Sequence, residues 1–435
     1  MKKAAFVWLL AVAASGLGAG QTAQAPTPAE RGLASWIDAH NTEALSLLER
    51  AVNINSGTEN LAGVRQVGAL FRAEFDALGF RTTWVDGAAF SRAGHLVATH
   101  ATGGPKILLI GHLDTVFPAD SPFQKFERAG STARGPGVID MKGGDVVIVQ
   151  ALKALQAAGL LTAMNVTVVM TGDEEDTGRP LALARRALVD AARGSAAALG
   201  FEDGDGDPAH AVVARRGTTS WQLTVTGTPA HSSQIFRDDI GPGATFEAAR
   251  ILDAFRTELS REPHLTFNPG VFLGGTAVDF NAAESRGTAF GKTNVIAEHA
   301  IVTGDLRALT MEQFAHAKAV MQAIVGGSLP HTKAEIVFDE GYPPLAPSDG
   351  NSRLLALYDA ASRSLGLGAV DAVSPDKAGA ADVSFVAGVV PMIIDAVGLK
   401  GHDDHTPGET ADLATLPTQT KRAAVTLARL AAGAR

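Results

Sequence analysis

Four apolar runs in this chain each lead into a polar cluster of the same chemical type. Runs 107–110, 166–170, 196–201 and 392–397 precede, respectively, Gly111-His112-Leu113-Asp114, Gly172-Asp173-Glu174-Glu175, Glu202-Asp203 and His402-Asp403-Asp404-His405. Short unbroken apolar runs bounded by glycine and polar residues predict strands buried on both faces, the pattern of a parallel sheet covered by helices. In open α/β sheets the functional crevice lies beyond the carboxyl ends of such strands. Asp140, in the glycine-rich stretch from Arg134 to Gly144, is a fifth candidate for that crevice. Imidazoles and carboxylates gathered there suit a divalent cation, and five of them suit two.

The rest of the pattern predicts two kinds of architecture. Apolar spacing predicts helix over much of 36–78, then strands alternating with helices to about residue 201, with one helix over 145–157. Near Arg215 the pattern changes. Residues 220–226 alternate polar and apolar, as expected for a strand with one solvated face. Helix is predicted over 245–259, an extended segment over 264–273, strand over 294–309, helix over 311–325 and strand over 333–339. This β-α-β-β-α-β order is that of a ferredoxin-like unit. The fold class expected is therefore α/β, a mixed sheet flanked by helices, with an inserted ferredoxin-like α+β domain at 217–338. Residues 26–216 and 339–435 form the two parts of the catalytic domain, because the second part supplies the last apolar run and His405.

Composition narrows the functional classes. With a net charge of −9 and no lysine or arginine block, nucleic acid is not an expected partner. The chain has no cysteine, so a metal site must use His, Asp and Glu. Met1-Lys2-Lys3, the apolar stretch 4–17 and Ala23-Gln24-Ala25 resemble a secretory signal peptide, assigned here to 1–25. Cleavage after Gly20 and a retained membrane anchor are the competing readings. The expectation is an exported protein, periplasmic or secreted, without stable membrane insertion after signal removal.

Each chemical candidate has an ordinary reading beside the functional one. His112 and Asp114 are spaced so that a carboxylate can orient a metal-bound imidazole, or they are a surface turn after a strand. Asp140 has two oxygens with which to bridge two cations, or it caps the following helix. Glu174 and Glu175 are adjacent at a strand end and point to different sides, so one can bind metal while the other serves as general base; the alternative is a solvated acidic turn. Composition alone leaves His402 and His405 equivalent. In the inserted region, His231 suits polarisation of a carbonyl, and Asn294 and Arg307 suit a substrate carboxylate. A polar turn and an internal Asp305–Arg307 ion pair compete with those roles.

The ordered combination is more specific than any part. His112-x-Asp114-Thr115-Val116, Gly135-x-Gly137-x-x-Asp140-Met141-Lys142-Gly143-Gly144, Glu174-Glu175, Phe201-Glu202, Ala230-His231-Ser232-Ser233 and the His405–Glu409 loop follow in sequence. The chain resembles the co-catalytic zinc metallopeptidase family of glutamate carboxypeptidase (carboxypeptidase G type), acetylornithine deacetylase, succinyl-diaminopimelate desuccinylase and aminoacylase. The resemblance covers essentially the whole expected mature chain. It implies two Zn2+ ions, with Co2+ or Mn2+ also able to occupy such sites. Asp140 would be the bridging ligand, His112 and Glu202 the remaining ligands of one ion, and Glu175 and His405 those of the other. Glu174 matches the general base and Asp114 the residue that orients His112. His231 matches an oxyanion stabiliser, often supplied by a partner subunit, and Asn294 and Arg307 match substrate-binding positions. The resemblance further implies a cis Asp140–Met141 bond and a lid domain that forms a homodimer. Where the family often has Glu-Pro, this chain has Glu202-Asp203, so either acid can be the ligand.

The function expected is hydrolysis of the amide bond of a C-terminal or N-acylated amino acid in a small peptide or N-acyl amino acid. A glutamate carboxypeptidase-like preference is favoured, in part by Phe267-Asn268-Pro269-Gly270-Val271 and Gly274-Gly275-Thr276. An aminoacylase or dipeptidase is the alternative within the family. A non-catalytic exported binding protein is the alternative of another class, one for which a general base has no use.

Overall fold

The computed structural model describes residues 25–434 except 283. Of the signal segment expected at 1–25, residues 1–24 lie outside the described residues. Thr27 and Glu30 open the first helix as a capping box, each side chain bonded to the other's backbone N–H. Helices α1 (Pro28–Ala39), α2 (Asn41–Val52) and α3 (Leu61–Ala77) follow, so the helical spacing over 36–78 corresponds to several short helices. Strands β1 (Arg81–Asp86), β2 (Gly94–Ala101) and β3 (Lys106–His112) come next, then α4 (Lys142–Ala157), β4 (Asn165–Thr171) and β5 (Ser195–Gly200).

The next elements in the chain are β6 (Gly217–Gly227), α5 (Gly243–Leu259), β7 (Thr266–Gly275), β8 (His299–Ala308), α6 (Met311–Gly326) and β9 (Thr332–Phe338). After them come α7 (Asp349–Ser364), β10 (Ile393–Ile394) and α8 (Thr415–Ala431).

The first sheet has the order β1-β2-β4-β3-β5-β10. Strands β4, β3, β5 and β10 run parallel, while β1 and β2 form its antiparallel edge. Its apolar runs are buried on both faces, for a reason visible along β3. Ile107 and Leu109 pack into the core shared with α1, α2, α4 and α8, whereas Leu108 and Ile110 pack on the opposite face with Val169, Leu188 and Val383. Successive side chains of a strand alternate in direction, so a strand covered on both sides must be apolar throughout. Full burial of each such side chain stabilises the fold by about 1.5–3 kcal/mol. Parallel pairing also brings the carboxyl ends of β3, β4, β5 and β10 to one edge, where the polar clusters begin.

Residues 217–338 build a second sheet, of order β7-β8-β6-β9 and antiparallel throughout. Along β6, Trp221, Leu223 and Val225 are buried while Ser220 and Thr224 are exposed. Its buried side packs on Ile251 and Phe255 of α5 and Met321 of α6. Ala277–Asn281 and Arg286–Phe290 form an antiparallel hairpin that the apolar pattern does not predict. This sheet is joined to the first by two adjacent chain crossings. Arg215 and Leu345 exchange backbone hydrogen bonds of 2.9 and 3.0 Å, and Thr218 N–H donates to the Tyr342 carbonyl at 3.0 Å. Among the described residues, no helix is long and apolar enough to cross a membrane.

Candidate metal centre

The glycine-rich loop before α4 carries Asp140 into the crevice. The loop's shape depends on Gly137, whose φ of 75° lies in the left-handed region. It also depends on the carboxylate of Glu409, which accepts the N–H groups of Gly137 and Ile139, both at 2.9 Å, and of Asp140 at 3.2 Å. Burial pushes the Glu409 carboxyl up to about 8, against the pull of these donors. Helix α4 starts at Lys142, three residues before the sequence pattern predicts, and the Asp140–Met141 bond is cis. Asp140 does not act as a helix cap. Its Oδ1 lies 2.9 Å from His112 Nε2 and its Oδ2 lies 2.8 Å from His405 Nε2.

Two further carboxylates complete the cluster. Glu202 Oε1 lies 3.6 Å from His112 Nε2, and Glu175 Oε2 lies 3.3 Å from His405 Nε2. Two overlapping triads result, each with its ligand atoms within 4.8 Å of one another: His112, Asp140 and Glu202, and Asp140, Glu175 and His405. Asp140 belongs to both.

The titration pattern is that of a site short of positive charge. Burial pushes Glu202 and Glu174 well above the usual carboxylate range and Glu175 up to about 7, with neighbouring acids adding to each shift. His405 is raised to about 11 by its bonds to Asp140 and Glu175. Burial alone would lower His112, yet Glu202, Asp114 and Asp140 together hold it well above the ordinary imidazole value. Burial opposes ionisation of Asp140 too, but His112 and His405 keep its carboxyl well below its usual range. Glu175 Oε1 is buried without a hydrogen-bond partner. Hard oxygens and imidazoles around a shared carboxylate, with one oxygen left over, fit a pair of divalent cations.

The alternatives left open by composition separate in space. His402 is exposed and pairs with Asp403 at 2.9 Å, while His405 reaches Asp140. Glu202 faces His112, whereas Asp203 is buried beside Lys400, which donates to its carbonyl at 2.7 Å. Asp114 occupies a more central place than its spacing suggests. Its carboxylate lies 3.4 Å from His112 Nδ1, which also lies 3.1 Å from the Asp114 carbonyl. The same carboxylate accepts the N–H of Glu174 at 3.0 Å, the N–H of Glu175 at 3.1 Å and the hydroxyl of Thr58 at 2.6 Å.

The candidates of the second sheet lie apart from this cluster. His231 is exposed, bonded through Nδ1 to Ser233 Oγ, and Ser232 N–H donates to the Asn294 carbonyl at 2.9 Å. Arg307 pairs with Asp305 at 2.9 Å. Among the described residues, none of His231, Asn294 and Arg307 makes a hydrogen bond or ion pair to the His112–His405 cluster. Other residues at the crevice have no sequence signal. Arg215 donates to Asp395 at 2.7 Å, and the Asp395 carboxylate accepts the Glu202 N–H at 3.4 Å.

The chain is similar to several known proteins. The chain is 26% identical over 400 residues to carboxypeptidase G2 of Pseudomonas sp. (strain RS-16), covering 89% of each. It is 29% identical over 219 residues to acetylornithine deacetylase of Pasteurella multocida, covering 47% of this chain and 54% of that protein. The fold matches aminopeptidase PepT of Bacillus cereus with a TM-score of 0.72 at 19% identity, over 90% of this chain and 99% of that one. It also matches a dinuclear metal-binding peptidase of Bacillus subtilis with a TM-score of 0.62 at 15% identity, over 91% and 99% of the two chains. The model of peptidase family M20/M25/M40 matches residues 108–429, from β3 into α8, and on that ground this chain belongs to that family of hydrolases.

Proposed function

We propose that the protein is an exported di-zinc hydrolase that cleaves the amide bond of a C-terminal or N-acylated amino acid, with a glutamate carboxypeptidase-like preference. The observation that carries this reading is the Asp140 carboxylate, set 2.9 and 2.8 Å from two imidazoles and flanked by Glu202 and Glu175. His112, Asp140 and Glu202 would hold one cation, and Asp140, Glu175 and His405 the other. When bound, the two ions supply Lewis acidity toward a carbonyl oxygen and toward water.

The chain's own residues handle protons and orientation. Glu174 is half-buried, and its raised carboxyl is matched to taking a proton from the attacking water and returning it to the departing amine nitrogen. Asp114 fixes the backbone of Glu174 and Glu175 through two N–H bonds. His231, which lies apart from the cluster here, would donate to the oxyanion once the domain spanning 217–338 closes over the crevice. Asn294 and Arg307 hold the substrate carboxylate. That domain is the lid and the homodimer contact, while 26–216 and 339–435 form the catalytic domain.

The likeness to carboxypeptidase G2 extends over most of both chains, which supports the glutamate preference above that of the partially matching deacetylase. The test is a hydrolysis panel with zinc-reconstituted protein, comparing folyl-glutamate, N-acyl amino acids and dipeptides, with metal content measured in parallel. Two metal ions per chain and fastest release of glutamate are expected. Protein that binds no divalent cation, or that hydrolyses none of the panel when loaded, sinks the proposal.

A further inference from the structure

Glu174 is held from two sides, and only one hold comes from the acidic cluster itself. Its N–H donates to Asp114, while its carbonyl accepts the phenol O–H of Tyr342 at 2.8 Å. Tyr342 lies at one of the two crossings into the second sheet, where its carbonyl accepts the Thr218 N–H. The phenol oxygen in turn accepts from Arg185 Nη2 at 2.6 Å and lies 2.9 Å from the Thr177 hydroxyl. With the phenol proton given to Glu174, Thr177 must be the donor of its contact, since a phenol has one proton to give; Asp382 Oδ1 lies a further 3.4 Å from the same oxygen.

Arg185 is 2% exposed and cannot move freely. It donates to Asp173 Oδ1 at 2.6 Å and to the Asp173 carbonyl at 3.0 Å, and its Nε pairs with Asp382 at 2.8 Å. The pair therefore grips loop 173–177 at three points: Asp173, the Glu174 carbonyl and Thr177. Tyr342 itself is half-buried. Its ring makes an edge-to-face contact with Phe385, with centroids 4.7 Å apart, and the Arg185 guanidinium lies over it, 5.5 Å from the centroid. Beside it opens a cavity of about 790 Å³ between the short helices Leu181–Ala184 and Arg186–Ala192 and residues 338–343. The hydroxyl, by contrast, is placed by its hydrogen bonds to Glu174, Arg185 and Thr177.

We propose that Tyr342, anchored by Arg185, is a positioning residue that transmits the placement of the inserted sheet to the loop bearing Glu174 and Glu175. The assignment rests on the hydrolase reading above for its effect on turnover, and on the geometry alone for its effect on the loop. Neither residue touches the cluster of His112, Asp140, Glu175, Glu202 and His405, so neither is a catalytic residue. A rotation of the insert about its two crossings carries Tyr342 with it and shifts the Glu174 backbone.

The test compares the full-length protein with Tyr342→Phe, which removes only the hydroxyl, and with Thr177→Val as a second variant should the first fail to fold. Amide hydrogen exchange by mass spectrometry is read over peptides covering 173–178, without substrate, alongside kcat and KM for the zinc-loaded forms. Expected for Tyr342→Phe are unchanged global unfolding, exchange at 173–178 faster by about tenfold, and kcat lower by about five- to tenfold at nearly constant KM, the signature of a hydrogen bond lost on the transition-state side. Unchanged exchange in this loop overturns the proposal whatever kcat does. Faster exchange with unchanged kcat in an active parent enzyme overturns the link to turnover. If the parent hydrolyses nothing while the variant loop still exchanges faster, the positioning role stands and the hydrolase reading fails.

Discussion

The carboxylate of Asp114 accepts the backbone N–H of Glu174 at 3.0 Å, so the loop after β3 holds the acid presented by the loop after β4. The other oxygen of the same carboxylate takes Glu175 N–H at 3.1 Å and the Thr58 hydroxyl at 2.6 Å. One buried acid thereby aligns the proposed base and a proposed metal ligand at once.

Replacing Asp114 with Asn should disturb both. One of the two N–H donors would face an amide NH2, which cannot accept. Hydrolysis is expected to fall about 10- to 100-fold, the usual effect of losing a partner that orients metal ligands. Steady-state kinetics together with zinc titration would measure it, and a variant with parental kcat and affinity would contradict this role for Asp114.

Glu174 and Glu175 should separate in metal analysis. Glu174→Gln is expected to keep two ions per chain and lose about 10²- to 10⁴-fold in kcat, the range for removal of a general base. Glu175→Gln should lower the occupancy of one ion. Metal content by mass spectrometry, paired with activity, distinguishes the two; equal metal loss in both variants would undo the division of roles.

Cation affinity should rise with pH. In the metal-free protein, burial and Asp140 push Glu175 up to about 7, and bonds to Asp140 and Glu175 carry His405 up to about 11. Groups with raised pKa hold protons near neutrality that a cation must displace, so binding releases protons and weakens as pH falls. Calorimetry in two buffers of different ionisation enthalpy, at about pH 6 and about pH 8, would count those protons. Affinity independent of pH would rule out this linkage.

The pairing of Glu30 with Arg429 should contribute acid-sensitive stability. Burial alone would raise the Glu30 carboxyl, but the Arg429 bond at 2.7 Å and the Thr27 donors bring it below its ordinary value of 4.5. A depressed carboxyl contributes stability that is complete above its unfolded pKa and is lost as pH falls through the folded value. Arg429→Ala is therefore expected to destabilise by about 1–2 kcal/mol at neutral pH, as for a partly screened charged hydrogen bond. That difference should shrink below about pH 4. Urea midpoints at the two pH values would read it.

Several features of this protein were legible along the chain. Unbroken apolar runs identified the parallel strands, because a strand covered on both faces has no polar position to spare. The alternation at Ser220–Thr224 marked β6, whose outer side chains meet solvent. That His112, Glu174-Glu175 and Glu202 would meet at one edge followed from their places at strand ends, since parallel strands bring their carboxyl ends to one edge; Asp140 was marked instead by its glycine-rich loop. Such periodicities are local and need no knowledge of partners.

The partners themselves were decided only by the tertiary structure. His402 and His405 are chemically equal three residues apart, and the turn between them is what directs one outward and the other to Asp140. The hairpin at Ala277–Asn281 and Arg286–Phe290 escaped prediction because its side chains are half or fully exposed and carry little apolar signal. Glu409 clamps a loop some 270 residues before it, and Tyr342 reaches Glu174 from 168 residues away. Hydrogen bonds across such separations leave no spacing to read, because a buried charge needs only a partner in space. The sequence by itself determined which strands would be buried and which acids would end them; folding decided which of those acids share a site and what holds them there.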